Sequence, residues 1–174
     1  MVRIGGFVTD ALTAPHVVEY PYTRSTGEVI GRFFAGLKER RILGIRAHDG
    51  RVLVPPQEYD PETGDELTDM VEVGETGVVT TWTWVYEPRP KHPLQRPFAF
   101  ALVKLDGADT AMLHVVDAGS PDAMSTGMRV HVRWATVLIG DITDIACFEP
   151  APVKAVALGP TPLRRQATAE GNGK

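Results

Sequence analysis

The segment 46–64, RAHDGRVLVPPQEYDPETG, has two turns joined by a short β-run, which is the frame of a structural zinc ribbon. Such a ribbon carries a Cys-x-x-Cys pair in each turn, because tetrahedral zinc needs four thiolate or imidazole ligands. The first turn offers Arg46 and Asp49, and the second offers Asp60 and Thr63. None of the four is a thiolate. We therefore predict a degenerate ribbon that binds no zinc and serves as a contact surface.

A ribbon without metal needs other stabilising contacts. Structural zinc contributes on the order of 10 kcal/mol to the folding of a small knuckle, and burial of one large apolar side chain contributes roughly 1.5–3 kcal/mol. The apolar groups available for packing are Val52, Val54, Pro55, Pro56 and Tyr59. We also expect hydrogen bonds between the two turns to replace the metal. Weak metal binding through His48, Asp49 and Asp60 is the alternative.

The sequence on either side of the ribbon predicts a helix before it and a barrel after it. Ser25 and Glu28 have the spacing of a capping box, and apolar residues recur at helical spacing up to Arg41. We therefore predict an N-terminal arm and helix over 1–41 and the ribbon over 42–67. A β-domain follows over 70–150, and then a tail over 151–174 whose end is disordered.

Five β-rich runs follow the ribbon at short intervals, with turn residues and no helix between them. They are residues 78–86, 98–105, 110–116, 129–135 and 142–148. Such spacing is typical of a small closed barrel or a sandwich. The predicted fold is therefore mainly β.

Aromatic side chains mark one face of the first barrel strand. Trp82, Trp84 and Tyr86 alternate along the strand and are expected to share a face. Val79, Thr81, Thr83 and Val85 would then occupy the other face of the strand. Three interpretations are open for the tryptophans: packing in the barrel and under the Pro-rich loop, a protein interface, or stacking on a base or the adenine of coenzyme A.

A basic stripe is predicted on a later strand. Arg129, His131 and Arg133 alternate with apolar residues and should face outward. A solvated face and contact with a phosphate or an acidic partner are the two interpretations. Cys147 lies in an apolar run and is expected to be a buried core residue.

Composition excludes several function classes. The net charge is −4, which disfavours a nucleic-acid binder that depends on phosphate neutralisation. The sequence has no nucleophile elbow, phosphate loop or dinucleotide fingerprint, so we predict that the chain is not an enzyme by itself. One cysteine, no apolar run of about 20 residues and no signal-peptide pattern predict a cytoplasmic protein without a membrane span.

Over roughly residues 15–150 the chain resembles the DUF35 family of zinc-ribbon/OB-fold proteins associated with thiolase-like enzymes. The motifs that carry the resemblance are Phe33-Phe34-x-x-Leu37, Ile42-Leu43-Gly44-Ile45-Arg46, Gly50-Arg51-Val52, Pro55-Pro56, Val71-Glu72-Val73, Gly77-Val78-Val79-Thr80-Thr81, Pro97-Phe98-Ala99-Phe100-Ala101-Leu102-Val103-x-Leu105-Asp106 and Gly127-Met128-Arg129-Val130. The family's four cysteines correspond here to Arg46, Asp49, Asp60 and Thr63, so this chain resembles the zinc-free members.

The resemblance implies a five-stranded OB-fold barrel and a non-catalytic role. The implied partner is a thiolase-fold subunit of the lipid-transfer-protein type, in a heterotetramer, acting as a retro-aldolase in steroid side-chain degradation. A MaoC-like hydratase is a second possible partner. The resemblance implies no cofactor. It implies an acyl-CoA ligand that is shared with the partner. The candidates for contact with the partner or with CoA are the Pro55–Pro56 pair, Tyr59, the tryptophan face and the basic stripe. The alternatives are a single-stranded nucleic-acid binder and a free-standing acyl-CoA binder.

Overall fold

The computed structural model describes residues 25–152, together with His16, Val18 and Glu19. The predictions for the rest of the N-terminal arm and for the tail beyond Pro152 lie outside the described residues. Within them the chain forms one α-helix, a three-stranded sheet and a five-stranded closed barrel. None of the helices in the described part is long and apolar enough to cross a membrane.

The helix α1 spans Gly27–Lys38, which is shorter than the predicted 25–41. Its predicted capping box is wrong, because the N-cap is Thr26 and makes no side-chain cap. Gly27 has a φ of 75°, and this turn lets the hydroxyl of Ser25 accept a hydrogen bond from the Gly27 N–H at 3.3 Å instead. The apolar face of α1 is confirmed, since Phe33 and Leu37 are buried.

The ribbon sheet contains β1 (Ile42–Arg46), β2 (Val52–Leu53) and β3 (Met70–Val73), in the order β2-β1-β3. The predicted barrel start at residue 70 is therefore wrong for β3. This strand pairs antiparallel with β1, from Ile42 opposite Val73 to Ile45 opposite Met70. β2 pairs with one side of β1, and β3 provides hydrogen-bond partners for the main-chain groups on the other side. Buried main-chain groups need such partners on both sides of a strand.

The barrel contains β4 (Thr76–Val85), β5 (Phe98–Leu105), β6 (Met112–Val116), β7 (Arg129–Trp134) and β8 (Ile145–Pro150). The strand order β4-β5-β6-β8-β7 closes on itself. All contacts between neighbouring strands are antiparallel except β6 with β8. The predicted five-stranded OB-fold barrel is confirmed. The predicted last strand begins later than residue 142, because Ile142–Asp144 forms a 3₁₀ turn.

A β-bulge at Thr80 reverses the predicted faces of β4. The register runs from Val79 opposite Val103 to Thr81 opposite Leu102, which leaves Thr80 as an extra residue. One extra residue moves all later side chains to the other face of the strand. Trp82 and Trp84 therefore lie opposite the buried Ala101 and Ala99, on the inner face of the barrel. The prediction that they oppose the Val79 face is wrong.

The ribbon sheet packs on the barrel through one continuous core. Val52 and Val54 belong to the same buried cluster as Val79 and Phe148 of the barrel and Leu37 of α1. Of the apolar groups available for packing in the ribbon, Val52, Val54 and Pro56 are buried within this chain. Pro55 and Tyr59 are exposed, so their predicted contact with a partner stays a prediction.

The β5–β6 connection binds the ribbon as well. Asp109 accepts a hydrogen bond from the Val52 N–H at 2.9 Å and donates its own N–H to the Val52 carbonyl at 2.8 Å. The hydroxyl of Thr110 accepts from the Val54 N–H at 2.7 Å and donates to the Val54 carbonyl at 3.0 Å. Four polar contacts therefore join β2 to the barrel at a place that sequence inspection treated as an ordinary turn.

Candidate functional site

The second ribbon turn is built around the buried carboxylate of Asp60. One oxygen accepts hydrogen bonds from the N–H groups of Glu62 at 2.8 Å and Thr63 at 3.3 Å, and the other accepts from His48 of the first turn at 3.2 Å. These bonds, chiefly the one from Glu62, lower the pKa of Asp60 below its ordinary value. Asp60 thus joins the two turns, as the predicted substitute for a metal should.

The side chains at the other three predicted ligand positions bond other groups than Asp60. Arg46 is exposed and pairs with Asp69 at 3.1 Å. The carboxylate of Asp49 accepts a hydrogen bond from the main-chain N–H of Arg51 at 2.9 Å and forms an ion pair with the guanidinium of Arg51. The hydroxyl of Thr63 accepts a hydrogen bond from the Asp65 N–H at 3.2 Å. Each polar group is held by its own local partner. The absence of zinc stays a prediction.

Elsewhere in the described chain, one group of three potential metal ligands lies close together: Asp117, Cys147 and Glu149. Arg133 lies 3.0 Å from Glu149 and 3.6 Å from Asp117, and Arg96 also pairs with Asp117. Burial raises the pKa of the Cys147 thiol to about 11, so the thiolate is disfavoured. The arrangement is an ion-pair network over a buried thiol and fits a cation poorly.

The aromatic candidates on β4 do not form one surface. Trp82 and Trp84 are half-buried and pack against the main core. Tyr86, which follows the strand, is 70% exposed. The bulge at Thr80 is the reason that the two indoles turn inward. A row of exposed rings for base stacking is therefore not presented by this strand.

Each member of the basic stripe faces a carboxylate. Arg129 binds Asp106 through two nitrogens and lies 3.0 Å from the Thr76 hydroxyl. His131 Nε2 lies 3.7 Å from Glu149, which also pairs with Arg133. The Arg129 guanidinium, followed by the Thr76 hydroxyl, lowers the pKa of Asp106 to about 2. The stripe is locally neutralised, which favours the interpretation as a solvated face.

The structure contains a cleft that no sequence motif identified. It lies over the outer face of β5 and β6, between the loop before β5 and the loop that leads into β8, and has a volume of about 420 Å³. Its lining residues are Pro93, Leu94, Phe100, Leu113, His114, Val115, Ile142, Thr143, Ile145 and Ala146. OB-folds bind ligands on this face, between these two loops.

A second bulge opens the cleft. The register between β7 and β8 passes from Arg133 opposite Cys147 to Trp134 opposite Ile145, which leaves Ala146 as an extra residue. Bulges bend a strand, and β8 consequently pairs with β6 at one position, Val116 opposite Phe148. On the N-terminal side of this pair, β6 and β8 form no further pairs.

Asp144 fixes the loop at the rim of the cleft. Its buried carboxylate accepts the N–H groups of Ile139 and Gly140, each at 2.8 Å, and completes a capping box with Asp141. The same short segment exposes two large apolar side chains, Ile139 and Ile142. A rigid turn therefore presents apolar surface to solvent, which marks it as a contact region.

The lining of the cleft is uncharged. It contains no Lys, Arg, Asp or Glu, and its one titratable side chain is His114. Burial lowers the pKa of His114, so the imidazole is neutral at pH 7. Such a cleft suits an apolar occupant, whereas phosphate groups would require basic residues.

Comparison with known proteins places this cleft in a family context. The sequence model of the C-terminal OB-fold domain of ChsH2 matches residues 70–135. A solved chain of the Ltp2–ChsH2(DUF35) aldolase is 25% identical with a TM-score of 0.53, and the alignment covers 74% of this chain and 98% of that one.

The chain is similar to OB-fold proteins of the DUF35 family. A DUF35 protein of unknown function from Sulfolobus solfataricus has a similar fold, at 24% identity and a TM-score of 0.50, with 62% of this chain and 78% of that chain covered. No curated protein matches the sequence.

A sequence signal for the cleft does exist on β5. The run Phe98-Ala99-Phe100-Ala101-Leu102 alternates small and large residues. Ala99 and Ala101 face the barrel interior opposite the tryptophans, so Phe98, Phe100 and Leu102 share the outer face. An outer barrel face with three large apolar side chains requires a cover, and the loop before β5 covers only part of it through Leu94.

Proposed function

We propose that this chain is a DUF35-type, non-catalytic accessory subunit of a thiolase-fold enzyme acting on acyl-CoA, namely a retro-aldolase of steroid side-chain degradation. One observation carries the proposal: the chain aligns with 98% of a chain in the Ltp2–ChsH2(DUF35) aldolase. A component that matches over its whole length supports a role as a similar component. The thiolase-fold partner supplies the catalytic residues in this proposal.

The chemistry of the described residues supports a non-catalytic role. The thiol of Cys147 is buried, with its pKa raised to about 11, and is therefore a poor nucleophile. The imidazole of His114 faces apolar residues and the ring of Phe148, 5.6 Å away, and has no carboxylate to orient it. Asp106 is held ionised by Arg129, which prevents it from donating a proton near pH 7.

The apolar cleft supports a protein or acyl partner over a nucleic acid. Its lining is uncharged, and the basic stripe that could contact phosphates is paired with Asp106, Asp117 and Glu149. Contact with the acyl-CoA substrate is proposed to be shared with the catalytic subunit. A free-standing acyl-CoA binder is the competing function, because an apolar cleft could also hold an acyl chain.

Co-expression with thiolase-fold subunits from the same organism tests the proposal. We expect the two chains to co-elute from size exclusion as a heterotetramer, and acyl-CoA retro-aldol cleavage to require both. Turnover by this chain alone would overturn the proposal, as would separate elution of the two subunits. Calorimetry of the isolated chain with an acyl-CoA ester distinguishes the free-standing binder, which alone predicts tight binding without the partner.

A further inference from the structure

The cleft contains a strand edge that is open on one side. Asp117 donates its N–H to the carbonyl of Phe148 on β8 at 2.8 Å. Main-chain groups of alternate residues in a strand point to opposite sides, so Val115 and Leu113 also direct their N–H and C=O groups toward the β8 side. The partner of Leu113 on β5 agrees with this direction. The Leu102 carbonyl accepts a hydrogen bond from the Thr80 hydroxyl on the β4 side, so Leu102 and Leu113 do not bond each other.

In the part of the chain that the structure describes, the main chain of Leu113 has no strand partner on the β8 side. Pairing between β6 and β8 is limited to Val116 with Phe148, since the bulge at Ala146 turns β8 away. Within the described residues no other strand pairs with β6 on this side. The side chain of Leu113 is 64% exposed on the outer face. The N–H and C=O of Leu113 therefore stand at a free edge, beside apolar side chains.

We propose that an extended segment of the partner subunit adds to β6 at Leu113 and inserts apolar side chains into the cleft between Leu94 and Ile142. This inference rests on the proposed function and names the surface through which the partner is held. Strand addition is a recurrent mode of peptide recognition, in which main-chain hydrogen bonds provide affinity and pockets for alternate side chains provide specificity.

The local chemistry selects an extended segment as the occupant. A helix satisfies its own main-chain groups and would leave those of Leu113 unpaired, which is unfavourable once water is excluded. The uncharged lining fits apolar side chains at every second position of a strand. The carboxylate of Asp144 holds the rim in place before binding, so little ordering is required of this chain.

Proline at position 113 separates strand addition from other contacts. Leu113→Pro removes the N–H that faces the cleft and keeps the bonds of β6 to β5, because position 113 directs its N–H away from β5. Leu113→Ala removes the side chain and keeps the N–H. We expect Leu113→Pro to weaken the complex with the thiolase-fold subunit about tenfold more than Leu113→Ala does. Asp122→Ala, at an exposed position of the turn before β7 that does not line the cleft, serves as the control with unchanged affinity.

Hydrogen exchange supplies the second readout. In the wild-type complex the Leu113 amide should exchange more slowly than in the free chain, while circular dichroism checks that each variant is folded. Equal affinities of Leu113→Pro and Leu113→Ala, with no protection of the amide, would overturn strand addition and leave the proposed function standing. A wild-type chain that forms no complex would remove the proposed function and this inference together.

Discussion

The ribbon sheet and the barrel are neighbouring β-structures held by different groups. The barrel is ordered by close apolar packing, with Val79, Ala99 and Val103 fully buried. The ribbon turns are ordered by side chains that bond the main chain, above all Asp60. Polar contacts of Asp109 and Thr110 join the two. The two regions therefore differ in what orders them: a carboxylate bridges the turns of the ribbon, whereas a close-packed apolar core orders the barrel.

Gly77 tests the barrel and should give the largest effect. A Cβ at this position would lie 2.5 Å from the Lys104 carbonyl oxygen and 3.0 Å from the Leu105 Cα. Both atoms belong to the main chain of β5, which cannot move without disturbing the barrel. We expect Gly77→Ala to lower the free energy of unfolding by about 3 kcal/mol, measured by urea denaturation.

Gly31 in α1 is the matched control for Gly77. Its nearest contact for an added Cβ is the Thr26 hydroxyl at 3.4 Å. Alanine favours helices over glycine by about 1 kcal/mol, so Gly31→Ala should be neutral or stabilising. An equally mild effect of Gly77→Ala would show that close main-chain packing does not order the barrel.

The strands of the barrel could be predicted from residue pattern, but the faces of β4 could not. The run from Val78 to Tyr86 alternates regularly, and nothing in it shows that Thr80 becomes the extra residue of a bulge. The bulge depends on the register with β5, which is a property of two distant segments. The cleft could not be predicted either, because it is opened by the bulge at Ala146, which depends on the register between β7 and β8.

In the ribbon, the hydrogen bonds that hold the turns were easier to predict than the strands that form its sheet. The bridging role of Asp60 follows from its place in a turn, because Asp side chains commonly bond nearby main-chain N–H groups. The pairing of β3 with β1 joins segments about 28 residues apart and depends on which strand edge remains free. Local patterns therefore identify how a turn is stabilised more readily than which strands become neighbours.

Thr110 tests the junction between the two regions. Its hydroxyl satisfies both main-chain groups of Val54, at 2.7 Å and 3.0 Å. Thr110→Val keeps the shape and removes both bonds, so we expect a loss of about 1–2 kcal/mol in the free energy of unfolding. Thr83→Val, on the exposed side of β4, should be nearly neutral. Equal stabilities of these two variants would show that the bonds of Thr110 do not help to hold the ribbon on the barrel.

Asp60 tests the ribbon by itself. Main-chain N–H groups lower its pKa in the folded state, so its stabilising contribution is complete above the unfolded pKa, about 3.9, and is lost as pH falls through the lower folded value. We expect Asp60→Ala to accelerate hydrogen exchange at the amides of His48 and Glu62 near neutral pH. The wild-type protein should show the same loosening only in acid.

Two further measurements serve as controls for the Asp60 prediction. The amides of Val79 and Val103 should keep their protection in Asp60→Ala, because the effect belongs to the turns. Treatment of the wild type with EDTA should leave exchange in the ribbon unchanged if a carboxylate has replaced the metal. Loosening of His48 and Glu62 by EDTA would instead mean that the ligand positions were assigned wrongly.

Arg129 and Asp106 should give the smallest effect, because both side chains are about half exposed, at 48% and 47%. Exposed ion pairs contribute less than about 1 kcal/mol. Arg129→Ala should raise the pKa of Asp106 from about 2 toward the ordinary value, with the Thr76 hydroxyl retaining part of the depression. Carboxyl NMR titration measures this change directly. Because the folded pKa is depressed, the pair stabilises fully above about pH 4 and loses its contribution between there and about 2. Acid would therefore weaken this barrel edge in the same direction as the ribbon turns, while the apolar core of the barrel should not respond.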